Sequence, residues 1–288
     1  MAKTPSKRAL LIAGPTASGK SAMALDVARS LGGVIVNADA IQVYRELRIL
    51  SARPLAEEEA AVPHKLYGHV AGTETYSVAQ WLADAGMVLE ETWRAGRLPV
   101  ITGGTGLYFR ALEGGLASVP PVSQEVRERW RSFEGDLHAE LAIRDAAMAA
   151  RLRPTDRQRI VRALEVFESS GRSLLEWQLD RPSPPVLQDV EVERVFLDVP
   201  RDELYARAER RFDQMVRAGA IDEVMSVIGY NPELPMMKAI GVPELSAYLR
   251  GETSLDAAMD QARTSTRRYI KRQLTWWRGQ MGHWRDEH

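Results

Sequence analysis

The residues with the most specific chemistry in this chain are Gly14, Pro15, Thr16, Ala17, Ser18, Gly19, Lys20 and Ser21, which together fit the pattern G-x-x-x-x-G-K-[ST]. An apolar run, Ala9–Ala13, precedes them and a helical pattern follows, which is the context that pattern needs to hold a phosphate. The glycines let the backbone curl so that successive N–H groups face one anion, and the helix dipole adds to the attraction. Lys20 supplies a point charge to phosphate oxygens, and the Ser21 hydroxyl is placed to ligate Mg2+. An ordinary glycine turn before a helix is the plainer alternative. A second candidate is Asp39, a carboxylate just past the apolar run Val34–Val36. Nucleotide hydrolases usually also need an acidic residue at a strand end to hold the metal, and no apolar run here ends in Asp-Glu. Departure of a diphosphate leaving group therefore suits these parts better than attack of water on a terminal phosphate.

The elements that must position these residues alternate along the first hundred residues. Ala9–Ala13, Val34–Val36 and Leu98–Ile101 read as strands, and Lys20–Leu31 reads as a helix stopped by Gly32-Gly33. Ser77-Val-Ala-Gln80 is a capping box that opens a helix running to Ala95. This alternation predicts an α/β fold of the P-loop NTPase-like kind, a parallel sheet with helices on both faces. From Arg110 to Arg194 strand signals vanish. Pro120-Pro121 and Pro182-Ser-Pro-Pro185 flank this stretch, and Thr155-Asp-Arg-Gln158 reads as a second capping box before Ile160, Leu164 and Phe167. The expected organisation is a first core segment over 1–118, a helical insertion domain over 119–185 and a second core segment over 186–288. In the last segment a strand is expected at Val195–Val199, with helices over Arg201–Ala218 and from Ser254 towards Gln280.

Composition narrows the function classes. With no Cys in 288 residues, disulfides, a Cys-based zinc site, an iron–sulfur cluster and a thiol nucleophile are excluded. No stretch of 18 apolar residues suggests a membrane span, so a soluble, cytoplasmic protein is expected. The charges nearly cancel, 38 Lys+Arg against 39 Asp+Glu, so any basic surface must be local. Two such clusters exist. Arg151, Arg153, Arg157, Arg159 and Arg162 surround a single acid, Asp156, and Arg263, Arg267, Arg268, Lys271, Arg272 and Arg278 span a stretch with no acid. Such stripes suit a nucleic-acid backbone, although a solvated helix face is the commoner reason for them. Trp276-Trp277, at helical spacing beside Leu274, reads as core or edge packing.

Taken in order, several segments resemble one family, the bacterial tRNA dimethylallyltransferases or isopentenyltransferases. These are Gly14–Ser21, Asn37-Ala-Asp-Ala-Ile-Gln-Val-Tyr44, Pro63-His64, Gly96–Phe109 with its Gly103-Gly-Thr-Gly106 turn, Asp156–Phe167 and Thr266–Trp276. The resemblance implies transfer of a dimethylallyl group from dimethylallyl diphosphate to the exocyclic amine of an adenosine next to the anticodon. An adenine amine is a poor nucleophile, so a carboxylate that accepts its proton would help. Asp39 matches the family's general base, with a metal ligand or helix N-cap as its alternatives. Thr105 resembles the family threonine that contacts the reacting groups, though its glycines could simply make a tight turn. Arg207 and Arg211 match the pattern in which an arginine meets the diphosphate.

The same resemblance implies that Asp39, Ala40, Ile41 and Gln42, together with Arg127 and the run Gln158, Arg159, Ile160, Val161 and Arg162, contact the tRNA anticodon stem-loop. A base flipped from the loop would have to reach the diphosphate. Two departures stand out. Arg53 replaces the lysine common in the segment Ile49–Pro54, and Gly241-Val242-Pro243 lacks the family's tyrosine, so no tRNA contact is assigned there. A monomer is expected. The rival readings are an enzyme that prenylates free adenine nucleotides, a small-molecule kinase with the same phosphate loop, and a non-catalytic RNA-binding module.

Overall fold

The computed structural model describes residues 7–180 and 184–285. The chain divides into two compact units, Met1–Glu113 with Val186–His288, and Gly114–Pro185.

In the first unit, β1 (Arg8–Ala13) leads through the phosphate-loop residues into α1 (Lys20–Leu31). Gly32, at φ 62°, ends α1 by returning its N–H to the Ala28 carbonyl. Then follow β2 (Val34–Asn37), α2 (Ala56–Ala61), β3 (His64–Lys65), α3 (Val78–Arg94), β4 (Pro99–Gly103) and α4 (Gly106–Gly114). The Ser77 capping box forms as expected: the hydroxyl accepts the Gln80 N–H at 3.2 Å, and the Gln80 carbonyl oxygen accepts the Ser77 N–H at 2.9 Å. β3 escapes sequence reading because two residues carry no periodicity.

The sheet has the order β3-β2-β4-β1-β5, and every pairing in it is parallel. β1, β2 and β4 are buried on both faces, which is why they read as unbroken apolar runs. Leu10, Ile12, Ile35 and Val100 pack against Ala24, Leu25 and Ala28 of α1. The alternate residues Leu11, Ala13, Val36 and Ile101 pack with Trp81, Leu89 and Phe109 on the opposite face.

The second unit holds α5 (Gln124–Ser132), α6 (Leu137–Arg144), α7 (Ala146–Ala149), α8 (Arg157–Ser170) and α9 (Leu174–Leu179). Trp130, Leu141, Ile160 and Leu164 form the centre of its own core. The expected Thr155 cap is displaced by one residue: the Asp156 side chain accepts the Arg159 N–H at 3.4 Å.

The chain then returns as β5 (Glu191–Phe196), earlier than the expected Val195–Val199. β5 is an edge strand paired with β1, and Glu191 and Glu193 face solvent, so its first half lacks an apolar signature. α10 (Arg201–Met215) passes through a widened turn at Val216–Ala220, where Gly219 adopts φ 106°, into α11 (Ile221–Val227). α12 (Val242–Leu249) and α13 (Leu255–Gln280, capped by Ser254) complete the unit. Leu204 and Ala208 of α10 pack on Ile270 and Leu274 of α13, setting the two helices side by side.

Candidate active site

Topology assembles the site. β4 lies between β1 and β2, with Ala13 opposite Gly103 and Thr102 opposite Asn37. The carboxyl ends of three adjacent strands therefore carry the phosphate loop, the Gly103–Gly106 turn and Asp39 to one edge, the usual ligand side of an open α/β sheet. The turn must run close to its neighbours. A Cβ on Gly103 would stand 2.0 Å from the Ala38 carbonyl oxygen, and one on Gly106 would stand 2.0 Å from the Trp276 ring. Thr105 is tied across this gap: its N–H donates to the Ala38 carbonyl at 3.2 Å, and its hydroxyl accepts the Ala40 N–H at 3.0 Å.

Asp39 is held by local hydrogen bonds that its neighbours dictate. Its N–H donates to Asn37 Oδ1 at 2.9 Å, while Asn37 Nδ2 donates to the Asp39 and Leu66 carbonyls. Asp39 Oδ1 accepts the Ile41 N–H at 2.9 Å, an Asx-type turn. Its Oδ2 is directed past Gly104, where a Cβ would lie 3.6 Å from it. No helix follows Asp39, so in place of the helix N-cap one oxygen caps a turn, and the second is left beside the cavity.

In the phosphate loop Ala17 and Gly19 take left-handed conformations, φ 64° and 94°. For Ala17 that conformation costs about 1–2 kcal/mol, and left-handed residues of this kind let a loop curl its amides towards an anion. The Ser18 hydroxyl is buried without a protein partner, and a Cβ on Gly14 would stand 2.7 Å from it. Lys20 Nζ donates to the Pro15 carbonyl at 3.2 Å. Arg211 donates to the Thr16 hydroxyl, and the Gln273 carboxamide accepts the Thr16 N–H at 2.9 Å.

Thr16 of the phosphate loop, Asp39, the Gly104–Gly106 turn and Arg211 border a cavity of about 520 Å³. Thr16, Asp39, Thr105, Arg211 and Gln273 face one side of it, and Ile41, Leu50, Phe212, Met215, Ile240 and Trp276 line it with apolar surface. Asp39 supplies the one carboxylate among its described lining residues. Desolvation pushes the Lys20 ammonium down to about 8; Asp39 opposes that shift and Arg211 adds to it. Burial likewise holds Arg211 below its ordinary value, partly offset by Asp39. The phenols of Tyr67, Tyr108 and Tyr269 are raised, first by burial and then by the Asp39 charge, so they remain protonated at neutral pH.

The structure gathers some sequence candidates and separates others. Arg207 pairs with Glu203 one turn away on α10 and is absent from the cavity wall, which Arg211 reaches. Gln42 Nε2 donates to the Ser51 and Ala52 carbonyls, each at 2.9 Å, and Gln42 is absent from the cavity wall. Arg53 donates to the Tyr44 and Arg45 carbonyls and packs over Gly68, a main-chain clamp. Trp277 is core, packed among Phe109, Phe196 and Trp284, whereas Trp276 is only partly buried and closes the cavity above Gly106. On α13, Arg263 pairs with Asp213 and Asp260, and Arg267 with Glu209, so part of the basic stripe binds α13 to α10. In the second unit Arg127, Gln158, Arg159 and Arg162 are exposed. Ile160 and Val161 are core residues, because helical spacing turns them inward, so their side chains cannot meet a ligand.

Two positioning residues escape the reading along the chain. Gln273 lies inside the segment Thr266–Trp276, but its role needs two distant loops. Glu223 on α11 accepts the N–H groups of Arg48, Ile49 and Leu50 at 2.6, 2.7 and 2.9 Å, and so anchors the Leu50–Ser51 wall.

The chain matches the family model described as IPP transferase over residues 42–280 and the one described as isopentenyl transferase over residues 7–67. It is 53% identical over 285 residues to the tRNA dimethylallyltransferase of Azorhizobium caulinodans, with 96% of this chain and 90% of that protein covered. It is 52% identical to the protein of the same name from Bradyrhizobium sp. strain ORS 278, covering 95% and 91%. The crystal structure of the tRNA isopentenylpyrophosphate transferase of Bacillus halodurans superposes with a TM-score of 0.66 at 33% identity, covering 94% of this chain and 87% of that one. A eukaryotic dimethylallyltransferase acting on tRNA shares the fold, with a TM-score of 0.82 at 24% identity, over 94% and 70%. A glycine-rich loop, a single carboxylate and an apolar wall at one sheet edge thus accompany similarity along nearly the whole sequence, and the chain belongs to the IPP transferase family.

Proposed function

We propose that this chain transfers the dimethylallyl group of dimethylallyl diphosphate to the exocyclic amine of the adenosine 3′-adjacent to the anticodon of tRNA, releasing diphosphate. The observation that carries this reading is one cavity with an anion grip at one end, a lone carboxylate beside it and an apolar wall suited to a five-carbon prenyl group.

The main-chain amides of Ala17, Gly19, Lys20 and Ser21, with the Lys20 ammonium, the Thr16 hydroxyl and Arg211, would hold the diphosphate. As the carbon–oxygen bond breaks, its electron pair stays on the diphosphate oxygen, where these donors stabilise the developing charge. The adenine nitrogen forms the new carbon–nitrogen bond, and its proton passes to Asp39 Oδ2. Thr105, fixed to Ala38 and Ala40, keeps the carboxylate and the reacting groups in register. The site also fits Mg2+ brought in by the substrate. No cluster of three acidic or histidine groups exists among the described residues, but the exposed Ser21 hydroxyl follows Lys20 at the start of α1, and Mg2+ commonly takes one or two protein ligands plus phosphate oxygens and water. When bound there, the ion would neutralise charge on the departing diphosphate.

Exposed Arg127, Gln158, Arg159 and Arg162 of the second unit are the side chains offered to the tRNA anticodon stem-loop. No helix among the described residues is long and apolar enough to cross a membrane, and a monomer acting in the cytoplasm is the expected setting. Incubation with labelled dimethylallyl diphosphate and unmodified tRNA should label one anticodon-loop adenosine, read by mass analysis of the nucleosides. Label on free AMP in preference to tRNA, or phosphate transfer that consumes ATP, would refute this reading.

A further inference from the structure

We infer that Gln273 is a positioning residue that sets the distance between the diphosphate grip and the carboxylate, an inference that rests on the prenyl-transfer reading above. Its carboxamide is buried at the meeting point of two loops that are remote in sequence. Oε1 accepts the Thr16 N–H at 2.9 Å, and Nε2 donates to the Gly104 carbonyl at 3.0 Å. Thr16 belongs to the phosphate loop. Gly104 precedes Thr105, which bonds Ala38 and Ala40 on either side of Asp39. A continuous line of hydrogen bonds therefore runs from the anion grip through Gln273 to the segment that carries the base.

The chemistry of this bridge is selective. It needs one donor and one acceptor held in a plane and facing opposite ways, which a carboxamide supplies. A glutamate would keep the bond to Thr16 but set a negative oxygen against the Gly104 carbonyl. A methionine would fill the same space and make neither bond. An asparagine would be one methylene too short. The backbone beneath is firm, because Ile270 and Leu274, on either side of Gln273 in sequence, are packed against Leu204 and Ala208. Gly104 leaves no slack either, since a Cβ there would stand 2.5 Å from Gln273 Nε2.

The test compares wild type with Gln273→Met and Gln273→Glu in steady-state transfer to tRNA, with thermal unfolding measured alongside. Loss of register between grip and base should lower kcat about 30- to 100-fold in each variant, while KM for tRNA stays within about twofold. The melting temperature of the methionine variant should stay close to that of wild type. If that variant fails to fold, the glutamate variant, which keeps the Thr16 bond, carries the test by the same kcat criterion. A folded variant with wild-type kcat, or a loss that disappears once activity is divided by the folded fraction, overturns the inference. Absence of tRNA prenylation by the wild-type protein would instead overturn the functional reading beneath it.

Discussion

Asp39 Oδ1 accepts the main-chain N–H of Ile41 at 2.9 Å, so one oxygen of the carboxylate shapes the turn while the other borders the cavity beside Gly104. The geometric and chemical duties of this side chain are therefore separable. Asp39→Asn keeps an acceptor for Ile41 and removes the proton acceptor. Its melting temperature should match wild type within about 2 °C while kcat falls about 10²- to 10⁴-fold, the range for loss of a general base. Normal turnover by this variant, measured as labelled adenosine formed, would remove Asp39 from the mechanism.

Lys20 is held down to about 8, chiefly by desolvation. Its folded pKa lies below its unfolded value of 10.5, so the unfolded chain binds more protons between those two values. Raising pH through that window therefore favours the folded state, and below pH 8 the buried ammonium is a standing cost. Lys20→Met should melt about 2–6 °C higher than wild type at pH 7, and the difference should shrink towards pH 10. In wild type, affinity for inorganic diphosphate should decline as pH rises past 8, and the methionine variant should bind weakly throughout.

Arg211 and Arg207 lie one helical turn apart yet differ in surroundings. Arg211 reaches the Thr16 hydroxyl and the cavity, whereas Arg207 pairs with Glu203. Arg211→Ala should weaken diphosphate binding about 10- to 100-fold, as expected when a charge-assisted hydrogen bond is removed. Arg207→Ala should change binding less than about threefold and barely alter stability, because partly exposed i,i+4 pairs contribute little. Calorimetric titration of both variants with diphosphate decides between them.

Glu223 gathers three main-chain N–H groups from Arg48, Ile49 and Leu50. Glu223→Ala leaves those donors without their acceptor and should cost about 2–4 kcal/mol in urea unfolding. Because Leu50 and Ser51 line the cavity, KM for the prenyl diphosphate should rise as well. Glu223→Gln keeps one acceptor and should lie between the two.

The two arginine clusters should separate in a salt titration of tRNA binding. Arg159 and Arg162 pair with acids of their own helix segment, Asp156 at 3.5 Å and Glu165 at 3.6 Å, and stay exposed. Replacing them together with exposed Arg127 should flatten the slope of log affinity against log salt by about 2 to 3, at roughly 0.7–0.9 for each phosphate no longer neutralised. Arg263→Ala and Arg267→Ala remove cations that tie α13 to Asp213 and Glu209 of α10. They should lower melting temperature and leave that slope nearly unchanged.

Much of this is legible along the chain because it is encoded locally. The α1 limits, its Gly32 stop and the Ser77 capping box follow from residues a few positions apart, and all three form where expected. Strands buried on both faces announce themselves as apolar runs, so β1, β2 and β4 are readable. β5 begins earlier than its apolar residues suggest because an edge strand alternates with exposed glutamates. The helix after it breaks at Gly219, whose non-helical φ of 106° directly follows the expected end at Ala218.

By itself the sequence determined the phosphate loop, the carboxylate at position 39, the α/β alternation and the family, each carried by contiguous residues whose spacing has local physical meaning. Tertiary structure alone decided which candidates meet. It placed β4 between β1 and β2, turned Arg211 rather than Arg207 towards the grip, buried Trp277 while leaving Trp276 partly exposed above Gly106, and brought Gln273 against a loop 257 positions away. The reason is physical: strand order, helix rotation and long-range hydrogen bonds depend on packing among distant segments, and no local spacing specifies them.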